Sequence, residues 1–264
     1  MAQASFDRRR INGPEESHPP IFDDAENLFW TLGQSRKARN PTDIRPIFLQ
    51  PGLIDQANGS AYVETERTKI ACAVYGPRQS KNNAYNEKGK LNVEVKFAPF
   101  SCGHRKAPIR DAEDRSLAMA IHQALVPSVR LELLPKSTID VFLTIIEADG
   151  MEGCIASGVV AASTALADAG VEMLGLVMSC ASSIVGREIW LDPTEGEAQL
   201  AKGTLVLSCM PAVNTVTSVW QSGQMSLGEV SEVCCLDQSH PVVFANPIQS
   251  VWMLAMNGVQ IFTL

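Results

Sequence analysis

Apolar Leu91, Val93, Val95 and Phe97 alternate with polar Asn92, Glu94 and Lys96. That is the period of a strand with one buried face. Upstream, Tyr62–Glu64 and Lys69–Tyr75 read as two strands around the polar turn Thr65-Glu66-Arg67. Ile70, Cys72 and Val74 lie on one face of the second strand, Ala71 and Ala73 on the other. Both faces are small or apolar, which predicts a central strand. Leu117, Ile121 and Leu125 follow at i, i+4, i+8, the stripe of an amphipathic helix that Pro127 ends. "STIDVFLTIIEAD" predicts a long strand. From about Ile155 to Ala169 nearly every residue is apolar or small, which predicts a helix buried in mid-domain and closed by Gly170. "LGLVMSCASSIV", "GTLVLSCM" and "NTVTSVWQSG" predict further strands, with "REIWLDPTEGEAQLAK" between the first two, and "SLGEVSEVCCLDQ" begins like a helix. Strands and helices in this order predict an α/β or α+β domain with a mixed sheet and packed helices.

Composition narrows the function classes. The 264 residues are 45% hydrophobic and 19% charged, which suits a folded protein with a sizeable core. A net charge of −7 excludes a nucleic-acid polycation, though not a local basic surface. Seven cysteines without a CxxC pair read as reduced core residues of an intracellular protein, with no metal site. The polar N-terminus predicts no signal peptide, and no apolar run reaches the roughly 20 residues of a membrane span. Residues 1–44, rich in Pro, Asn, Asp, Glu, Arg and Ser, predict an extended arm before a domain over 45–231.

Two stretches carry candidate chemistry. "EADGMEGCIAS" reads as a strand end and a Gly-bearing turn into the buried helix, and a helix start can hold phosphate. A working phosphate site adds a cation, yet no Lys or Arg occurs from Glu147 to Gly186. The loop "HRKAPIR" brings Arg105, Lys106 and Arg110 together, with Arg115 a turn of helix further on. These groups either hold phosphates without reading sequence or pair with Asp111, Glu113, Asp114 or a neighbouring chain. Ser182, Ser183 and Ser226 lack a nucleophile motif, and the four histidines form no ligand cluster.

Three blocks together resemble the ribonuclease PH family: "RPIFLQPGLIDQANGSAYVETERTKIACAVYGPRQS", the run from "VEVKFAPFSCGHRKAPIRDAEDRS" to "DVFLTIIEADG", and "AASTALADAGVEMLGLVMSCASS". Within it they look like the ring subunits of the eukaryotic RNA exosome, and "RRRINGPEES" resembles the Mtr-three type of ring subunit. The resemblance implies an RNase PH-like (ribosomal protein S5 domain 2-like) fold. It also implies a six-membered ring of RNase PH-like subunits, a neighbour of the Rrp-forty-two type, S1/KH cap subunits above, and RNA threading the channel. No membrane partner and no cofactor are implied, and localisation would be nuclear, nucleolar and cytoplasmic.

Active members of that family degrade RNA with phosphate as nucleophile. Their phosphate-holding Arg would fall at or near Ile155 here, with Glu152 close by. A carboxylate beside a phosphate site has the wrong sign. Of the two Asp six residues apart that hold magnesium in active members, Asp192 matches the first and Ala198 stands at the second. The expectation is a non-catalytic subunit that forms the ring and lines the channel; the alternative is an active phosphate-dependent 3′→5′ exoribonuclease. After about Ser231 the resemblance ends, and residues 232–264 predict an apolar tail without Lys or Arg, where the family carries a basic helix.

Overall fold

The computed structural model describes residues 36, 39–79, 87–103, 105–106, 112–186, 188–226, 228–231 and 233. Two helices lie between two sheets. Strands β1 (Phe48–Pro51), β2 (Gly59–Thr65), β3 (Thr68–Gln79), β4 (Lys90–Phe97) and β5 (Ser137–Glu147) form the first sheet in the order β1-β2-β3-β5-β4. Strands β6 (Met178–Val185), β7 (Glu188–Leu191), β8 (Gly203–Met210) and β9 (Thr215–Gly223) form the second, β7-β6-β8-β9. Among the described residues only β4 and β5 run parallel, so the first sheet is mixed, as its sequence pattern predicts. β3 is central, and its inward Ile70, Cys72 and Val74 are fully buried.

Helix α1 (Ala112–Leu125) packs its stripe Leu117, Ile121 and Leu125 into the core. Helix α2 (Met151–Asp168) is buried from Gly153 to Leu166 and touches both sheets. Its small side chains explain that placement: a helix walled on all sides admits only residues that let strands and a neighbouring helix come close. At Gly158 an added Cβ would lie 2.8 Å from Ile121 Cδ1 of α1. At Gly59, the first residue of β2, it would lie 2.3 Å from the Ala169 nitrogen and 2.4 Å from the Ala165 oxygen. Asp168 fixes the same junction by accepting the Ser60 N–H at 2.9 Å.

Two sequence expectations change. The turn expected before α2 is helical: the helix starts at Met151, and Gly150, at φ 84°, reverses the chain just ahead of it. The segment between β6 and β8 contains both β7 and a short helix, α3 (Glu195–Leu200). Residues 228–231 and 233 are helical, and Val233 packs on Ile184, Leu205 and Leu207 of the second sheet. Among the described residues, no helix is long and apolar enough to cross a membrane.

Candidate functional site

Parallel β4 and β5 end on the same side of the first sheet, and this brings the loop after β4 against the segment that enters α2. The Ala98 N–H donates to Ile145 O at 2.8 Å and the Ala148 N–H to Ser101 O at 2.9 Å. At the start of α2 the side chains are acidic rather than basic. Asp149 is 6% exposed and accepts the backbone N–H of Glu195 at 3.0 Å. Glu152, in the first turn, accepts the Thr204 hydroxyl at 2.9 Å. Ile155 is 2% exposed and belongs to the core between the sheets, where an Arg side chain would have no solvent to reach.

The second half of the site is the turn between β7 and α3. Asp192 sits there at φ 49°, a left-handed conformation uncommon for a non-glycine residue, held by its N–H on Ala181 O at 2.7 Å. Ala198, six residues on, lies in α3 and presents a methyl group. The adjacent carboxylate, Glu197, turns back to accept the Thr194 N–H at 2.9 Å.

The cations that face these carboxylates come from far away in the chain. Arg45, 3% exposed, donates Nε to Asp192 Oδ2 and Nη2 to Asp192 Oδ1, both at 2.6 Å, and Nη1 to Asp149 Oδ2 at 2.5 Å. Its backbone N–H also reaches Asp192 Oδ2, at 3.0 Å. Arg36 grips Glu197 with two bonds of 2.8 and 2.7 Å and donates to Leu191 O and Asp192 O, both at 2.9 Å. Its guanidinium lies 5.7 Å from the centre of the Trp190 ring. Arg39 contacts Asp192 Oδ2 at 3.3 Å. Three guanidinium groups thus meet the buried or half-buried carboxylates of Asp149, Asp192 and Glu197, with the exposed Glu66 carboxylate 3.9 Å from Arg45 Nη1. It fastens Arg36 and Arg39–Arg45 to the second sheet, where Pro41 O also accepts the Leu191 N–H at 2.8 Å.

The electrostatics follow from this closure. Burial works to raise the Asp192 pKa, but the hydrogen bonds and charge of Arg45, with Arg39 behind, hold it below the usual carboxylate range. Glu197 is lowered in the same way: burial opposes, and Arg36 and the Thr194 N–H prevail. For Arg45, burial works against the charge and the two aspartates more than restore it. A magnesium-holding pair does not fit here. Both Asp192 oxygens are taken by guanidinium nitrogens, and the second carboxylate position is a methyl group.

The basic loop is less available than its sequence suggests. Lys106 Nζ bonds Glu113 Oε2 at 2.7 Å and lies 3.7 Å from the centre of the Phe97 ring, so it follows the salt-bridge alternative. Arg105 is exposed beside it. Arg115 is exposed on α1 and lines a cleft of about 370 Å³ with Glu94, Asp114, Asp140 and Phe142, an acidic setting for a phosphate-binding group. Arg110 lies outside the described residues. Sequence reasoning missed Arg36, Arg39, Arg45 and Asp149. The ion pairs that join Arg36, Arg39 and Arg45 to Asp149, Asp192 and Glu197 span 104 to 161 positions, and no local period signals such a contact.

The 3′ exoribonuclease family, domain 1, matches residues 43–172. Exosome complex component mtr3 of Schizosaccharomyces pombe is 38% identical over 231 residues, covering 85% of this chain and 87% of that protein. The chain belongs to the RNase PH-like family of exosome components, in its Mtr3 branch. Human exosome complex component MTR3 is 38% identical over 239 residues, covering 84% of this chain and 85% of that one. The family also takes in Rrp41 of Pyrococcus horikoshii, 37% identical over 76% of this chain and 80% of that protein. Among solved structures, rice Rrp46 superposes with a TM-score of 0.72 at 21% identity, over 81% of this chain and 98% of that one. A chain of the Archaeoglobus fulgidus exosome with RNA bound to the active site gives 0.69 at 20% identity, over 80% and 91%. These likenesses bear out the RNase PH fold expected from the sequence.

Proposed function

We propose that this chain is a non-catalytic subunit of the RNA exosome ring, supporting 3′→5′ RNA processing and degradation by forming the ring and lining its channel. Its partners are other RNase PH-like ring subunits, including a neighbour of the Rrp-forty-two type, cap subunits and RNA, in nucleus, nucleolus and cytoplasm. Residues 1–44 form its arm, 45–231 its domain and 232–264 its tail, with Arg36 and Pro41 bonded to the second sheet and Val233, at the start of the tail, packed on the same sheet.

One observation carries the absence of catalysis: Arg45 occupies the carboxylate of Asp192. A carboxylate tied by a bidentate guanidinium can neither bind a divalent ion nor take a proton at neutral pH. At the start of α2, Glu152 repels an incoming phosphate where an active member needs a cation, and the nearby Arg45 is already taken up by Asp149 and Asp192. Losing one such electrostatic contact costs about 10²–10³ in rate, and two are lost here.

The test is phosphate-dependent RNA decay by this chain paired with its ring neighbour, followed as nucleoside diphosphate release. No release is expected. Release abolished by Asp192→Ala would establish the catalytic alternative.

A further inference from the structure

Each sheet has two edges, and three of the four are guarded. An edge strand displays unpaired N–H and C=O groups that recruit another strand unless shortness, proline or charge prevents it. β1 has four residues and ends in Pro51. β7 has four and carries Glu188. β4 is longer but carries Lys90, Glu94 and Lys96. β9 has none of these devices: it runs nine residues, Thr215–Gly223, without proline or charge. No Asp, Glu, Lys or Arg occurs from Gly203 to Gly228.

Among the described residues β9 pairs with β8 alone. Its surroundings are apolar and open. Val216 is 44% exposed and Val219 50%, and Val213, just before the strand, is 50% exposed. The inner face is already used, with Trp220 packed into the core and α1 alongside.

We propose that the free edge of β9 is an interface that receives an extended, uncharged strand from a neighbouring ring subunit. The inference rests on the ring-subunit reading above. Main-chain bonds along the edge supply affinity, and Val216 and Val219 select apolar side chains on the incoming strand. The lack of charge over the whole region fits an uncharged partner strand and disfavours RNA, which needs cations.

The experiment is amide hydrogen exchange of the full chain, alone and in the purified ring complex, with Val216→Lys/Val219→Lys beside wild type. Both valines are exposed, so the variant is expected to fold with an unchanged melting temperature. The expected result is slowing of Thr215–Gly223 exchange by about tenfold or more on assembly, with the variant binding the ring at least about tenfold more weakly. If wild type joins the ring while β9 exchange and variant binding stay unchanged, the edge assignment is overturned and the ring reading stands. If wild type joins no ring, both fall. Slowing that grows with the concentration of the isolated chain would assign the edge to a second copy. Slowing in the isolated chain that is lost on removing residues 234–264 would assign it to the tail. Either of those outcomes overturns the proposal.

Discussion

At Arg45 one side chain closes two carboxylates at once. Removing a partner from such a buried pair leaves uncompensated charge, which costs about 3–5 kcal/mol. Arg45→Ala is therefore expected to lower unfolding stability by that amount in urea denaturation. Arg115→Ala, at an exposed position, is expected to change it by less than about 0.5 kcal/mol. Acid acts on the same network. Asp192 and Glu197 titrate below their ordinary range when folded, so their stabilisation is complete above the unfolded carboxylate pKa near 4 and fades as pH falls through the lower folded values. The stability gap between wild type and Asp192→Asn should accordingly be widest near neutrality and shrink toward pH 3, as read from urea midpoints. A gap independent of pH would show that the Asp192 charge contributes nothing. From the sequence, Asp192 and Ala198 could be matched with a family pattern, but Arg45 could not. A guanidinium that reaches a carboxylate through space leaves no trace in spacing.

Elements were far more readable than contacts. The alternation in Leu91–Phe97 and the stripe Leu117-Ile121-Leu125 each report a single buried face, and both appear as β4 and α1. The start of α2 was misjudged by about four residues, because Gly150 and Gly153 read as turn punctuation. Only Gly150 serves that purpose; Gly153 is buried in the helix, where a Cβ would lie 3.6 Å from Thr68 Oγ1. A stricter demand for smallness falls on Gly59, against the last turn of α2. Gly59→Ala forces β2 and α2 apart, and overpacking of this kind costs about 1–3 kcal/mol or more. A thermal melt should show the loss, whereas Gly103→Ala, with open space around it, should melt like wild type.

For the whole molecule, two sheets and two helices form the frame shared with rice Rrp46 and a chain of the Archaeoglobus fulgidus exosome, and on a shared frame chemistry is decided by the residues of the site. The chain keeps the frame and fills the site with its own charges. A complex rebuilt with Arg45→Ala is expected to stay without phosphorolytic activity, because Ala198 and the acidic start of α2 remain. Nucleoside diphosphate release by that complex would show instead that Arg45 alone silences the site.

The contrast between β9 and β7 limits how such a molecule can grow. Endless sheet extension needs a sheet that is open at both ends, and this one is open at one end and stopped by four residues and Glu188 at the other. Among the described residues the second sheet offers one edge for strand addition, β9. Filling β9 once exhausts that capacity, so an uncharged apolar edge that would otherwise seed fibres is compatible with a finite assembly.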